Sequence, residues 1–158
     1  MNRRNFLVRT CGAAAAAAAL PAWSQSAATA DRVVKTAEEW RKVLTPEQFY
    51  VLREEGTERP GSSPLNQEKR KGTFVCAACA LPLFSSATKF ESGTGWPSFY
   101  EPIAGAVATK VDYKIIAPRT EYHCRRCEGH QGHVFDDGPK PTGKRYCNNG
   151  VALKFVPA

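Results

Sequence analysis

The sequence lacks several features that would point to particular classes of protein. It has no internal repeat, no heptad pattern and no low-complexity tract outside an alanine-rich run near its start, so repeat and coiled-coil architectures are excluded. Its lysines and arginines are scattered among acidic residues and form no basic aromatic stripe, which argues against a nucleic-acid partner. The alanine-rich run is too short to cross a bilayer, so we expect no stable membrane insertion.

The first thirty residues have the pattern of an export signal. The stretch NRRNFLV contains paired arginines ahead of the alanine-rich run, which is typical of a twin-arginine signal. Ala28 and Ala30 form an A-x-A site that would allow cleavage before Asp31, and an uncleaved anchor is the alternative. We therefore predict a twin-arginine signal peptide at residues 1–30, a folded domain at residues 31–158 and a periplasmic location.

The predicted mature part is long enough for one domain with a modest core. The formal charge of +7 for the whole chain includes three arginines and no acids in the first thirty residues, which leaves +4 for the remainder. This mild excess of positive charge is typical of ordinary solvated faces. We also expect the protein to be a monomer.

Two capping boxes predict two short helices at the front of this domain. Thr36 stands three residues before Glu39, and Thr45 stands three residues before Gln48. The second helix is expected to stop at Gly56.

Short β-favouring stretches dominate the chain beyond residue 72. They are separated by glycine, proline, asparagine or aspartate, and they read TFVC, LPLF, AVATKVDYKIIA, TEYHC, HVF and VALKFV. This pattern predicts a mainly β fold, a small antiparallel-sheet domain with a short helical flank at its N-terminus.

Four cysteines form two C-x-x-C pairs at the ends of predicted strands. Cys76 with Cys79 and Cys124 with Cys127 are separated by 44 residues, a pattern that suits a structural Zn²⁺ with four thiolate ligands. Two disulfides or a redox dithiol are the alternatives in an exported protein. His123 could compete as a ligand, but we interpret it as a strand residue because four cysteines already complete the coordination shell. Such a closed site cannot itself be the catalyst.

A fifth cysteine in the predicted mature chain, Cys147, has no partner. An odd thiol outside the cytoplasm is a hazard unless its reactivity is used, which makes Cys147 the first candidate for a nucleophile. Arg145 lies on the same face of a strand and could lower the pKa of the thiol. An inert buried cysteine beside a surface arginine is the alternative.

Two further stretches carry candidate site residues. In GHQGHVFDDG, His130 and His133 sit around a predicted Gln-Gly turn, where two imidazoles could donate protons to a leaving oxygen. Metal binding by this pair is the functional rival. In SGTGWPSF, Trp96 either packs in the core or lines a pocket for an apolar group.

These residues, in this order, resemble the B-type methionine sulfoxide reductases. The resemblance covers about residues 36 to 156 and rests on QFYVLREEGTERP, GTFVCAAC, LFSSATKFESGTGWPSFYEP, HVFDDGPKPTGKRYCNN and ALKF. It implies a zinc-bearing, mainly antiparallel β fold and the reduction of the R epimer of methionine sulfoxide in oxidised proteins.

The resemblance also implies a role for each candidate residue. Cys147 would attack the sulfoxide sulfur and become a sulfenic acid, His130 and His133 would act near the oxygen as proton donors, Arg145 would favour the thiolate and Asn149 would position the site. In the same way, two aromatic residues would wall the pocket for the ε-methyl group of the substrate: Trp96 and Phe135.

Three positions depart from the family pattern. Thr94 stands where many members carry a resolving cysteine, so an external thiol, either a small molecule or a thioredoxin-like protein, must reduce Cys147. Gln131 and Asn148 stand where apolar residues are more usual. A zinc module that binds a protein partner without catalysis is the main rival interpretation, although such a module would not need the thiol, the two histidines and the arginine together.

Overall fold

The computed structural model describes residues 31–158. The predicted export signal and its cleavage site therefore lie outside the described residues. Within the described part of the chain, no helix is both long enough and apolar enough to cross a membrane.

Two short helices open the described chain, α1 (Ala37–Val43) and α2 (Pro46–Glu54). Both predicted capping boxes are formed, since the side chains of Thr36 and Thr45 accept hydrogen bonds from the backbone N–H groups three residues ahead. The prediction of two capped helices is confirmed.

Antiparallel strands make up most of the remaining regular secondary structure of the described chain. They are β1 (Gly72–Cys76), β2 (Pro82–Ser85), β3 (Lys89–Phe90), β4 (Ser98–Phe99), β5 (Val107–Asp112), β6 (Arg119–Cys124), β7 (His130–Phe135), β8 (Arg145–Asn148) and β9 (Leu153–Pro157). A three-stranded sheet has the order β2-β1-β9, and a six-stranded sheet has the order β3-β4-β8-β7-β6-β5. The predicted fold class, mainly antiparallel β with a helical N-terminal flank, is confirmed. The described residues also include three short 3₁₀ helices, Pro64–Gln67 before β1, Ser86–Thr88 between β2 and β3, and Gly150–Ala152 between β8 and β9.

The two sheets face each other across an aromatic core. Phe84 of β2 stacks on Phe99 of β4 with ring centroids 4.2 Å apart, and Phe74 of β1 meets Phe99 edge-on at 4.9 Å. Tyr122 of β6 is fully buried against the same cluster. Aromatic pairs in these geometries add to the free energy gained from burying their surface, so this cluster fixes one sheet against the other.

The helical flank is fastened to the six-stranded sheet by α2. Arg53 stacks over the ring of Trp40 at 4.4 Å and donates a hydrogen bond of 2.8 Å to the carbonyl oxygen of Cys127. Helix α2 also packs on β7 and on the turn Gly150–Ala152. The loop that follows α2 is thereby held beside the centre of the larger sheet.

One predicted strand is shorter than the sequence pattern suggested. The apolar stretch from residue 106 to residue 117 continues as strand only to Asp112. There the Asp112 carboxylate accepts a hydrogen bond of 2.8 Å from the backbone N–H of Lys114, which closes a turn, and Pro118 has no N–H group to offer a neighbouring strand. Residues 113–118 therefore form the loop of the β5–β6 hairpin.

Candidate active site

Cys147 lies near the middle of the six-stranded sheet, on β8. Its neighbours in register are Ser98 on β4 and His133 on β7. Residues opposite each other in antiparallel strands share one face of the sheet, so the thiol, the hydroxyl and the imidazole stand side by side. Arg145 and its register partner Phe135 extend the same face by two residues.

A small cavity of about 140 Å³ opens over this face. Its wall combines two aromatic rings, an imidazole, a guanidinium and the thiol, and its lining residues are Thr57, Trp96, Arg119, Gly132, His133, Phe135, Cys147, Asn148 and Asn149. Apolar rings beside a few directed polar groups are typical of a site for a small, partly apolar group. The structure thus brings five of the candidate residues together around one cavity, whereas Arg145 and His130 do not line it: Cys147, His133, Trp96, Phe135 and Asn149.

His133 is held by a carboxylate that the sequence did not point to. Its Nε2 lies 2.8 Å from an oxygen of Asp112, and Arg119 donates to the same oxygen at 2.6 Å. Burial lowers the pKa of His133, and the hydrogen bond to Asp112 opposes that shift. His133 is therefore a directed imidazole at the edge of the cavity.

His130 is more deeply buried than His133 and lies behind it. The two rings are 5.4 Å apart, and His130 Nδ1 lies 2.7 Å from an oxygen of Glu121. His130 Nε2 is buried and has no hydrogen-bond partner within the described residues. A buried ring nitrogen without a partner has hydrogen-bonding capacity left for a bound group.

Glu121 connects His130 with another imidazole. Its second oxygen lies 3.0 Å from His123 Nδ1. Although burial opposes the shift, the hydrogen bonds from His123 and His130 lower the pKa of Glu121 to about 2. Glu121 is thus a buried carboxylate that orients His130. His123 lies on β6 and bonds to Glu121, which agrees with its interpretation as a strand residue.

The prediction of a Gln-Gly turn between the two histidines is wrong. Both histidines and the residues between them belong to β7. Two residues three positions apart on a regular strand point to opposite faces, but the pairing of β6 with β7 shifts between Tyr122 and His123. This bulge brings the two rings together in place of the expected turn.

Gly132 allows β7 to approach β8 closely. A Cβ atom at this position would lie 1.9 Å from the carbonyl oxygen of Cys147. Only glycine lacks that atom, so Gly132 sets the spacing between the strand that carries His133 and the strand that carries Cys147.

Arg145 acts on the Cys147 thiol in the predicted direction, but the net shift of the pKa of this thiol is upward. Burial raises the pKa of Cys147, and the charge of Arg145 and a hydrogen bond from Thr94 only partly offset that rise. The guanidinium of Arg145 is shared between Cys147 and Asp137, since its Nε and Nη2 each donate at 2.8 Å to the carboxylate of Asp137. Its guanidinium also stacks over Phe135 at 4.4 Å.

A chain of hydroxyl groups lies next to the thiol. Ser92 Oγ is 2.8 Å from the hydroxyl of Thr94 and 2.8 Å from that of Ser98, the register partner of Cys147. The loop that carries Thr94 therefore lies against β4 and β8, with hydroxyl groups beside the thiol of Cys147.

Asn149 ties the loop after α2 to the cavity. Its Oδ1 accepts 3.0 Å from the backbone N–H of Glu58, and its Nδ2 donates 3.0 Å to the carbonyl oxygen of Gln131. The indole N–H of Trp96 donates 3.2 Å to the carbonyl oxygen of Glu58. The backbone of Glu58 thereby holds two residues that line the cavity, Asn149 and Trp96.

The two buried departures from the family pattern contact each other. Asn148 Nδ2 lies 3.4 Å from Gln131 Oε1, and the fully buried Tyr122 hydroxyl donates 2.7 Å to Asn148 Oδ1. Gln131 Nε2 in turn lies 3.6 Å from the sulfur of Cys76. The amides form one buried polar chain in which each group has a partner.

The four paired cysteines form one cluster that could hold a metal ion such as zinc. Their sulfur atoms lie within 4.8 Å of one another, with Cys76 to Cys127 at 3.7 Å and Cys79 to Cys124 at 3.5 Å. Four sulfurs at about 2.3 Å from a tetrahedral Zn²⁺ stand about 3.8 Å apart, so the cluster fits that ion. The separations are far too long for disulfides, and all four thiols are free.

The sequence-based reasoning missed the three carboxylates that orient the site, Asp112, Glu121 and Asp137. Asp112 and Glu121 are acidic residues within predicted strands, and Asp137 is an acidic residue shortly after one. Nothing in the strand pattern alone shows which histidine or arginine each one faces, because that depends on register and on the bulge.

Comparison with known proteins gives consistent matches over this domain. A family model described as the SelR domain matches residues 44–157. The chain is 60% identical over 124 residues to the peptide methionine sulfoxide reductase MsrB of Methanosarcina barkeri, an alignment that covers 78% of this chain and 87% of that protein. It is 54% identical to the protein of the same name from Leptospira interrogans, over 78% of this chain and 95% of that protein. It is also 54% identical to the protein of the same name from Pseudomonas putida, over 80% of this chain and 96% of that protein.

Proposed function

Because the chain belongs to the SelR family of B-type methionine sulfoxide reductases, we propose that it reduces the R epimer of methionine sulfoxide to methionine. The observation that carries the residue assignment is the alignment of Cys147 with His133 under one cavity walled by Trp96 and Phe135. The apolar walls suit the methyl group of the sulfoxide, and the polar side suits its oxygen.

In the first step, the Cys147 sulfur takes the oxygen of the sulfoxide. The thiolate attacks the sulfoxide sulfur and forms an S–S bond, while a proton from His133 or His130 converts the sulfoxide oxygen into a hydroxyl group. This hydroxyl then moves to the Cys147 sulfur as the S–S bond and the original S–O bond break, so methionine leaves and Cys147 becomes a sulfenic acid. The free Nε2 of His130 and the directed ring of His133 support this role. Arg145 favours the thiolate, and Asn149 holds the cavity wall.

The raised pKa of Cys147 fits a thiol that ionises on substrate binding. Burial raises the pKa of the Cys147 thiol, and Arg145, which also pairs with Asp137, offsets that rise only in part. Transfer of the thiol proton toward an imidazole, with the sulfoxide in place, supplies both the nucleophile and the acid.

Thiols from outside the protein must return Cys147 to its reduced form. The sulfenic acid reacts with one external thiol to give a mixed disulfide and water, and a second thiol then releases Cys147 as a thiol. Within the described chain, the other cysteines are those of the metal-binding cluster, and Thr94 stands beside Cys147. A thioredoxin-like protein or a small-molecule thiol is therefore the reductant.

The four-cysteine cluster is a structural zinc site. Cys76, Cys79, Cys124 and Cys127 would hold the ion, which leaves no open coordination position and supplies folding free energy instead of catalysis. Arg53 supports the site, since its Nη2 donates 3.3 Å to the sulfur of Cys127.

The protein is exported to the periplasm by the twin-arginine route. The support is the sequence of residues 1–30, and this route carries folded proteins, so zinc would be loaded while the thiols are reduced. A variant with Lys in place of Arg3 and Arg4 should stay in the cytoplasm, as fractionation would reveal.

The activity is tested with the two epimers of a small methionine sulfoxide derivative and dithiothreitol as reductant. We expect turnover of the R epimer alone and its loss in Cys147→Ser, because an alcohol is a far poorer nucleophile than a thiolate. The matched control is Ser98→Ala beside the thiol, which removes a hydroxyl and leaves the nucleophile. Turnover of the R epimer by Cys147→Ser near the wild-type rate would contradict the assignment.

A further inference from the structure

The loop of the β5–β6 hairpin, residues 113–118, exposes large apolar side chains. Tyr113 is 75% exposed, Ile116 is fully exposed and Ile115 is half-exposed. These side chains add nothing to the core, although the sequence pattern around them is that of a buried strand. Contiguous apolar side chains that a fold leaves in water usually mark a surface that binds something.

The base of this hairpin is built into the active site. Asp112, the last residue of β5, bonds to His133 and to Arg119, the first residue of β6. Arg119 and His133 both line the cavity that contains Cys147. The loop therefore begins directly after Asp112, which bonds to His133 in the cavity wall, and ends directly before Arg119, which lines the cavity.

The charges beside the loop are already paired. Lys110 forms an ion pair with Glu55, and Lys114 approaches the other oxygen of Glu55 at 2.7 Å. Because Glu55 already neutralises these two lysines, they are not expected to bind anionic lipid or nucleic acid. What the loop offers is apolar surface next to the site.

We propose that residues 113–118 dock apolar residues that flank a methionine sulfoxide in an unfolded polypeptide. The proposal rests on the proposed function and specifies the form of its substrate. Methionine is among the more often buried residues, so its chain neighbours are frequently apolar and become accessible when the protein unfolds. An extended chain advances about 3.3 Å per residue, so a side chain two to four residues from the sulfoxide reaches a surface adjoining the cavity.

The test measures kcat/KM for three substrates with two proteins. These are the wild type and a triple variant, Tyr113→Ser/Ile115→Ser/Ile116→Ser. One substrate is a small N-acetylated methionine R-sulfoxide amide, and the others are two peptides with leucine or serine on both sides of the R sulfoxide. We expect the wild type to favour the leucine peptide by at least about fivefold in kcat/KM, as the burial of one or two leucines would give. The triple variant should lose that preference and keep its activity on the small amide within about twofold.

The control is Val34→Ser/Val43→Ser, which removes two exposed apolar side chains away from the cavity. It should keep the preference for the leucine peptide. A preference that survives in the triple variant would overturn the proposal, and so would an equal loss on all three substrates. A wild type that is inactive on the small amide would instead contradict the proposed function.

Two further measurements exclude other occupants of the loop. Light scattering of the wild type and of the triple variant should give the same mass, and neither should sediment with vesicles of phosphatidylglycerol. A dimer or a vesicle-bound form that requires the three apolar residues would overturn the proposal in favour of self-association or lipid binding.

Discussion

At the scale of single residues, the chemistry of Cys147 depends on a balance between burial and two opposite charges. Burial raises the pKa of the thiol, Arg145 lowers it and Asp137 raises it. Because Asp137 binds the guanidinium through both oxygens, it also takes much of the positive charge away from the sulfur.

Removal of the Asp137 charge should make Cys147 more acidic. In Asp137→Asn the arginine is released and the negative charge is gone, so we expect the pKa of the thiol to fall. The rate of alkylation by iodoacetamide, measured against pH, reports this pKa, and at neutral pH the variant should react several times faster than the wild type.

The matched control is Asp136→Asn, the neighbouring carboxylate, which is exposed and pairs with Lys144. Its alkylation profile should follow that of the wild type. An unchanged profile in Asp137→Asn would show that Asp137 does not control the thiol.

At the scale of secondary-structure elements, the site depends on how β7 lies against β8. Gly132 has no chemical group to contribute, yet a methyl group there would meet the carbonyl oxygen of Cys147 at 1.9 Å. The two strands must separate or shift to admit it.

We therefore expect Gly132→Ala to lose most of the activity together with several kcal/mol of stability, because it moves Cys147 away from His133. Gly143→Ala is the comparison, since its Cβ would meet nothing within 4 Å and only its positive φ of +70° opposes the change. That variant should lose about 1 kcal/mol and keep its activity. Chemical denaturation and steady-state kinetics measure both, and an active, stable Gly132→Ala would contradict the role of Gly132.

Much of the fold was predictable because local signals decided it. The two capping boxes predicted both helices. The C-x-x-C pairs stand at the ends of β1 and β6, as the strand pattern indicated. Cys147 was singled out because the four other cysteines of the folded part had partners.

What the sequence could not reveal depends on contacts between distant strands. The bulge opposite His130 was mistaken for a turn, because a glycine in HQGH is equally consistent with a turn and with a close approach of two strands. The contact between Gln131 and Asn148 is also not visible in the sequence, although each is a polar residue where the family pattern more usually has an apolar one. The net pKa of Cys147 followed from burial and from Asp137, and neither could be read from the spacing of Arg145.

At the scale of the whole molecule, the four-cysteine cluster joins the two sheets. Cys76 ends β1 in the smaller sheet, and Cys124 ends β6 in the larger sheet, with Cys79 and Cys127 in the turns that follow. A metal ion bound there clamps the sheets at one end, while the aromatic core holds them together elsewhere.

Removal of the metal should therefore loosen the whole domain. We expect one Zn²⁺ per chain by elemental analysis, and a fall of at least about 10 °C in the Tm after chelation, since the binding free energy of a structural zinc is part of the folding free energy. Cys79→Ser should behave as the chelated protein does, whereas Cys147→Ser should keep both its zinc and its Tm. A zinc-free protein that melts at the same temperature would show that the cluster is not a structural metal site.

The identity of the sulfur that takes the oxygen is the most direct point to measure. The zinc-loaded wild-type protein is exposed to one equivalent of methionine R-sulfoxide without reductant, and its peptides are analysed by mass spectrometry after trapping of sulfenic acids with dimedone. We expect a dimedone adduct on Cys147 alone, with the four cluster cysteines unmodified and still bound to zinc. A disulfide between Cys147 and any cluster cysteine, or methionine formed while Cys147 stays a free thiol, would contradict the single-cysteine mechanism.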